Sequence, residues 1–355
     1  MEMEIIMKNS SAIILAGGEG KRMKSNRPKV LSEVMFQPMI KWVIDAVRMA
    51  GIKDICVVTG SKREYVEEYL KTLPFEVETV FQPERLGTGH AVMMAVPFLE
   101  KHRGSDVLIL NGDAPFIGVE TIRNAFVVQN QTGEIDPEVF DWEAPRKPSE
   151  KRGCTVISAE VEDPSGYGRI VYETDAEDFF HLSTLKAIVE EKEATDEIRK
   201  IKEVNSGAYW FEADILLDAL GKLKKSEKTG EYYLTDTIEI IKNSGNAVMA
   251  YKAKNADSVL GANDCIQLAQ LNEIARMRII RKHLKNGVNI PCTDGVMIGR
   301  DVVIAANTTI LPSTVIRGKS EIGAFCEIGP SAFIENCKIG QGNRLCNISL
   351  ENQIV

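Results

Sequence analysis

The sequence predicts an α/β protein in which a Rossmann-like domain, its parallel sheet covered by helices on both faces, is followed by a short left-handed parallel β-helix. Two patterns predict it. Over residues 11–129 short β-rich runs alternate with helical periods, which implies βαβ units. From residue 298 the apolar period changes to six, the signature of hexapeptide repeats. A length of 355 residues agrees with two domains at a prior of about 150 residues each.

In chain order, strands are expected at 11–16, 55–58, 77–81 and 107–110, and helices at 39–49, 63–70, 89–100 and 119–128. Ligands of such sheets sit beyond the carboxyl ends of the strands, so the loops at 17–29 and 111–115 are the first candidates for a site. Residues 130–153 hold Gly133, Pro137, Pro145, Pro148 and mixed charges without an apolar period, and read as a mobile surface insertion. Strands resume at 154–161 and 168–172, a polar excursion follows at 173–178, and helices are expected at 214–223 and 266–284. The first domain therefore spans 1–265, a linking helix 266–290 and the β-helix 291–355. In the β-helix, Ile298, Ile304, Ile310, Ile316, Ile322, Ile328 and Ile334 recur every six residues, and Ile339 and Leu345 continue after a one-residue slip. About three coils are expected, each stacking its apolar corners on the next. Cys292, Cys326, Cys337 and Cys346 lie in or beside the repeats and read as small apolar residues packed within them.

Composition narrows the function classes. With 43 Lys and Arg against 51 Asp and Glu, the formal charge is −8, which argues against a general nucleic-acid binder or a membrane-surface protein. Seven cysteines without a C-x-x-C pair argue against a disulfide framework or a zinc site, and a reducing cytoplasm is the expected compartment. The N-terminus carries Glu2 and Glu4 where a signal peptide needs positive charge.

Against this acidic background, Lys21, Arg22, Lys24, Arg27 and Lys29 fall in one loop directly after the first strand, opposed there by Glu19, and the loop opens with Gly17, Gly18 and Gly20. Glycines let backbone N–H groups approach phosphate oxygens, and the cations neutralise them, so the loop suits a polyphosphate. It is neither of two commoner motifs. A Walker A loop needs glycine where Leu15 stands and Ser or Thr where Arg22 stands, and a Rossmann fingerprint needs a small residue at Met23.

The run Leu15-Ala-Gly-Gly-Glu-Gly-Lys-Arg-Met23 with Pro28-Lys-Val-Leu31 resembles the signature of the sugar-phosphate nucleotidyltransferases. Five further segments agree with that family in order: 82–91, 112–113, 166–170, 203–207 and 231–236. They are most similar to its members that act on UTP and N-acetylglucosamine 1-phosphate and carry a second, acetyl-transferring β-helix. The resemblance implies a uridylyl transfer, magnesium as the cofactor, and a nucleotidyltransferase fold for the first domain. It implies that Arg22 and Lys29 are catalytic and that Asp113 and Asn263 hold the metal. Asp113 suits this on its own chemistry, because magnesium takes oxygen ligands and Asp113 follows the strand 107–110 at the sheet edge. Asn263, in a loop before a helix, is by itself an N-cap candidate.

The base side is implied to use Leu15, Ala16, Gly17 and Gly18 with Gln82, Gly87 and Thr88, whose amide and backbone groups can pair with a pyrimidine. The sugar side is implied to use Asn111, Gly112, Gly168, Glu190, Asn205 and Thr235, with Glu190 and Glu191 competing for one position. His90 reads as a hydrogen-bonded residue at a helix start. Three departures stand out. Asn111 occupies a position where the family usually has tyrosine, Arg85 one where it usually has glutamine, and the chain carries only about three coils where the family has many. The last leads to the expectation that acetyl transfer is absent, and a trimer through the β-helix is a possible assembly. Two other readings remain open: a transferase for another hexose 1-phosphate or nucleotide, and a non-catalytic sensor that keeps the fold.

Overall fold

A computed structural model describes residue 7 and residues 10–130, 152–172 and 185–355. Most of the stretch read from sequence as an insertion, 130–153, and all of the polar excursion at 173–178 lie outside the described residues. The chain forms two compact units, one of residues up to 31 with 39–261 and the other of 32–38 with 262–355.

Elements appear in the order β1 (Ser10–Ala16), β2 (Glu33–Val34), β3 (Gln37–Pro38), α1 (Met39–Ala50), β4 (Asp54–Thr59), α2 (Arg63–Lys71) and β5 (Glu78–Phe81). They continue with α3 (Thr88–Met94), α4 (Val96–Lys101), β6 (Asp106–Asn111), α5 (Val119–Asn130), β7 (Arg152–Glu160), β8 (Arg169–Tyr172), β9 (Leu185–Val189) and β10 (Glu203–Glu212). The first unit closes with α6 (Ala213–Leu220), α7 (Asp236–Asn243) and β11 (Ala247–Lys252), after which α8 (Cys265–Lys285) opens the main part of the second.

The main sheet runs β11-β7-β10-β6-β1-β4-β5, with β8 and β9 attached beside β10. β1 pairs parallel with β4 on one side and β6 on the other. Nearly every residue of β1 is buried, because helices cover both faces, and this is why the strand reads as a continuous apolar run. Successive residues feed opposite cores: Ala12 and Ile14 belong to one apolar cluster and Ile13 to the other. Trp210 on β10 is fully buried in the first cluster, where its indole N–H donates to the Ile122 carbonyl at 3.1 Å.

The structure corrects three expectations. The sheet is mixed rather than parallel, since β10 runs antiparallel to both β6 and β7. A parallel neighbour needs a long crossover, whereas β10 follows the β8–β9 hairpin through a short connection that holds the 3₁₀ turn Ile198–Lys200. The expected helix 89–100 is two helices that meet at Ala95, because Pro97 lies in the first turn of α4 and cannot continue the hydrogen bonding of α3. Of the four cysteines placed within the repeats, Cys326 and Cys337 are buried, Cys292 is half-buried and Cys346 is exposed.

In the second unit, β12 (Met297–Ile298), β13 (Val303–Ile304), β14 (Thr309–Ile310), β15 (Val315–Arg317) and β16 (Glu321–Ile322) begin a short left-handed β-helix. It continues through β17 (Glu327–Ile328), β18 (Phe333–Glu335), β19 (Lys338–Ile339), β20 (Arg344–Leu345) and β21 (Ser349–Glu351). Three parallel sheets form its sides: β12-β15-β18-β21, β13-β16-β19 and β14-β17-β20. The six-residue period is thus one side of a three-sided coil. Ile298 registers on Ile316 and that on Ile334, while Ile304 registers on Ile322 and Ile310 on Ile328. The one-residue slip falls between Ile334 and Ile339, yet Ile339 still registers on Ile322. The hairpin β2–β3 also belongs to this unit, where Met35 N–H donates to Asn272 Oδ1 at 2.9 Å.

Thiol accessibility offers a check on this packing. Burial pushes the Cys56 thiol up to about 12 and holds that of Cys154 well above the usual thiol range, and buried thiols of this kind are unreactive. A thiol reagent should label Cys265 and Cys346 in the native protein within minutes, and Cys56, Cys154, Cys326 and Cys337 only after unfolding. Mass spectrometry of labelled peptides reads this directly.

Candidate active site

The site lies at the carboxyl edge of the parallel strands, where β1, β4, β5 and β6 each end in a loop that the sequence had marked or that contacts one so marked. After β1, Leu15 and Ala16 finish the strand and Gly17 lies against the backbone of Gly60, which follows β4. A Cβ on Gly60 would sit 2.4 Å from the Gly17 carbonyl oxygen, so neither loop can approach the other this closely with a side chain there. A Cβ on Gly17 would meet Gln82 Oε1 at 2.9 Å, which places the Gln82 amide beside the same turn. Gly18 has open space around it.

Gln82 is buried at the end of β5, its N–H bonded to the Thr59 carbonyl at 2.8 Å. Its Nε2 donates to the Gly87 carbonyl at 3.1 Å and lies 3.1 Å from His90 Nδ1. His90 sits in the first turn of α3 and stacks near Tyr232 at 6.2 Å between ring centroids. Gly87 caps α3 with φ 96°, and a Cβ there would lie 2.4 Å from the Tyr232 carbonyl oxygen, so glycine is required twice over. Thr88 Oγ1 accepts from the Leu234 N–H at 3.1 Å, which draws the segment carrying Thr235 up to the start of α3. Arg85 pairs with Glu19. The departure from the family's usual glutamine thereby joins the β1 loop to the β5 loop.

At the end of β6 the Gly112 N–H donates to the Leu15 carbonyl at 2.9 Å, and a Cβ on Gly112 would come within 3.1 Å of that oxygen. Asp113 then meets Lys29 in an ion pair whose side chains are 21% and 12% exposed. Lys29 also packs under Gly20, whose φ is 63°. Arg22 is exposed on the 3₁₀ turn Lys21–Met23. Lys62 donates to the carbonyls of Ser25 and Asn26 at 3.3 and 2.9 Å, holding the cationic loop toward α2. Sequence reasoning did not find Gly60 or Lys62; both act through backbone contacts that no local motif encodes.

The antiparallel β10 brings the remaining residues in. Asn111 ends β6 opposite the irregular stretch of β10 between Asn205 and Ala208, and its side chain fills the space that a Cβ on Gly207 would occupy. The Asn205 N–H donates to the Gly168 carbonyl at 2.8 Å, and its Nδ2 donates to the Tyr209 hydroxyl at 2.6 Å. A Cβ on Gly168 would lie 3.6 Å from Glu190 Oε2 and 3.7 Å from Asn205 Cβ. Thr235 Oγ1 donates to Glu190 Oε1 at 3.2 Å. Gly168, Glu190, Asn205 and Thr235 therefore form one cluster, and Glu191 is excluded from it: it faces Arg169 at 2.7 Å instead. Burial raises the Glu190 carboxyl above the usual carboxylate range, while the Arg169 hydrogen bond lowers that of Glu191.

Asn263 belongs to the second unit. The cap of α8 is Asp264, whose side chain accepts from the Gln267 N–H at 2.9 Å, while the Asn263 N–H donates to Gln267 Oε1 at 2.7 Å. The N-cap reading of Asn263 is therefore corrected. Among the described residues no group of three or more His, Cys, Asp or Glu side chains is arranged to hold a metal, and no helix is long and apolar enough to cross a membrane.

A glycine-rich turn with cations after β1, facing a carboxylate at the end of the neighbouring parallel strand β6, suits a nucleoside triphosphate, the substrate of a nucleotidyltransferase. Comparison with known proteins agrees. Residues 12–135 match the MobA-like NTP transferase domain and residues 142–269 the nucleotidyl transferase family. The chain is 40% identical over 342 residues to the bifunctional protein GlmU of Caldanaerobacter subterraneus subsp. tengcongensis, covering 96% of this chain and 67% of that protein. To the protein of the same name from Acetivibrio thermocellus it is 39% identical over 353 residues, 99% of this chain and 68% of that one. To that of Clostridium botulinum strain ATCC 19397 it is 40% identical over 344 residues, 97% and 68% respectively. The chain belongs to the GlmU family. It spans about two thirds of the length of these relatives.

Proposed function

We propose that the chain transfers a uridylyl group from UTP to N-acetylglucosamine 1-phosphate and releases pyrophosphate. The observation that carries the proposal is the Lys29–Asp113 pair at the joint edge of β1 and β6, with the glycine turn on one side and the Glu190 cluster on the other. A phosphate oxygen of the sugar 1-phosphate attacks the α-phosphorus, the bond from that phosphorus to the bridging oxygen breaks, and pyrophosphate leaves with both electrons. The attacking oxygen is already ionised at neutral pH, so no general base is needed. What the protein must supply is alignment and positive charge.

Arg22 and Lys29 are the residues we assign to charge neutralisation along the triphosphate. Leu15 to Gly18, Gln82, Gly87 and Thr88 form the base side, where amide and backbone groups present both donors and acceptors. Asn111, Gly112, Gly168, Glu190, Asn205 and Thr235 form the sugar side, suited to hydroxyl and acetamido groups. Magnesium fits these residues. A lone carboxylate at a sheet edge, without a wider acidic cluster among the described residues, suits an ion that takes one or two protein oxygens and fills its shell with phosphate and water. Asp113 would hold it. When bound, the ion would neutralise phosphate charge. Asn111 against Gly207 favours a second reading, a different hexose 1-phosphate, because a short amide stands where a larger ring is usual in the family.

A panel of nucleoside triphosphates and sugar 1-phosphates scored by pyrophosphate release decides among these. The proposal expects UTP with N-acetylglucosamine 1-phosphate to exceed any other pair by at least about tenfold, the discrimination that one or two specific hydrogen bonds provide. A higher rate with another nucleotide or sugar refutes the assignment.

A further inference from the structure

Beside the sugar-side cluster lies a charged pair that the proposed chemistry does not use. Arg169 is 1% exposed, and its Nε is buried without a hydrogen-bond partner. Its guanidinium donates from Nη1 to the Tyr167 carbonyl and meets Glu191 Oε2 at 2.7 Å, and from Nη2 it reaches the Arg199 carbonyl at 3.4 Å. Glu191 accepts in turn from the Gly166 N–H at 3.2 Å, and Arg199 Nε stands 3.6 Å from its other oxygen. The pair thus grips both ends of one turn: Glu191 holds the N–H of Gly166, where φ is 84°, and Arg169 holds the carbonyl of Tyr167.

That grip bears on three residues at once. Gly168 follows the turn directly, and its carbonyl accepts from Asn205. Glu190 precedes Glu191, and the two carboxylates point to different partners, Thr235 for one and Arg169 for the other. Fixing Glu191 therefore fixes the backbone from which Glu190 projects. A guanidinium suits this task because its donors are rigidly spread and keep their charge, whereas a lysine offers a single point. A buried ion pair adds little stability over apolar residues of similar volume, which argues for a role other than stability alone.

We propose that Arg169 and Glu191 are positioning residues for the sugar 1-phosphate, holding the Gly166–Gly168 turn and Glu190 in the geometry that the sugar requires. This rests on the reading of Gly168, Glu190, Asn205 and Thr235 as the sugar side. Neither member of the pair touches substrate. The pair acts by keeping the turn and the Glu190 backbone from relaxing apart.

The test is steady-state kinetics of Glu191→Gln and Arg169→Lys, with Glu190→Gln beside them, using UTP and the sugar 1-phosphate that turns over fastest in the panel above. Both pair variants should raise KM for the sugar 1-phosphate about tenfold or more, with KM for UTP and kcat within about threefold of the starting protein. A double variant, Arg169→Met with Glu191→Leu, removes both charges together and leaves neither buried alone, so it keeps the test valid where a single variant fails to fold. It should show the same selective rise. If both KM values move together, or neither moves, the positioning role is overturned. Should Glu190→Gln leave the sugar KM unchanged, the sugar-side reading itself fails; should Glu190→Gln raise it while the pair variants do not, only the pair proposal fails.

Discussion

Asp113→Ala is expected to lower turnover by about 10²–10³-fold, the loss that follows removal of one group stabilising charge in a transition state. Asp113 is placed at the joint edge of β1 and β6, and Lys29 is its partner. Two effects combine. On the proposed assignment a bound metal ion would lose a protein oxygen, and Lys29 loses its carboxylate partner. The fold should survive, because the pair lies in loops at the sheet edge, outside both apolar clusters. Pyrophosphate release and a thermal melt on the same preparation separate the two effects. Asp113→Asn, which keeps the shape and loses the charge, should match the alanine variant in activity. Turnover within a few-fold of the starting protein would remove Asp113 from the mechanism.

Gly60→Ala is expected to produce the second large effect, through the backbone rather than through charge. The added Cβ would lie 2.4 Å from the carbonyl oxygen and 2.6 Å from the Cα of Gly17. Neither strand can step aside freely, since Ala16 and Thr59 are registered partners in the centre of the sheet. The Gly17 turn must move instead. Overpacking of this kind costs about 1–3 kcal/mol, and KM for UTP should rise at least about tenfold because the turn proposed to meet the nucleotide has shifted. Gly221→Ala serves as a control. Gly221 caps α6 with φ −65°, and its nearest neighbour to an added Cβ is at 3.6 Å. There the substitution should leave both stability and KM nearly unchanged.

These two residues show what a sequence can and cannot carry. Asp113 was legible because an apolar strand and a Gly-Asp step place a carboxylate at a sheet edge by local pattern alone. Gly60 was not, since its requirement arises from a turn 43 positions away that only the folded sheet brings alongside. The β-helix was legible in full outline: a period of six stacks like on like, and Ile298, Ile316 and Ile334 register as the period demands. The direction of β10 was not legible. Whether a strand enters a sheet parallel or antiparallel depends on its connection, and the β8–β9 hairpin carries no periodic signal of its own. That direction shapes the proposed sugar side, because it sets Gly207 against Asn111 at the end of β6. The choice between Glu190 and Glu191 was likewise undecided in sequence. Two adjacent acids are equivalent there, and only the buried Arg169 on one side and Thr235 on the other tell them apart.

The proposed reaction is a single in-line transfer from the nucleoside triphosphate to the sugar 1-phosphate, with no covalent intermediate on the protein. The most direct measurement is the stereochemistry of that transfer, using UTP that carries one sulfur at the α-phosphorus in a single configuration. Phosphorus NMR of the nucleotide sugar product should show inversion at that centre, as one displacement requires. Retention would mean two displacements through a nucleotidylated side chain, and would contradict the account.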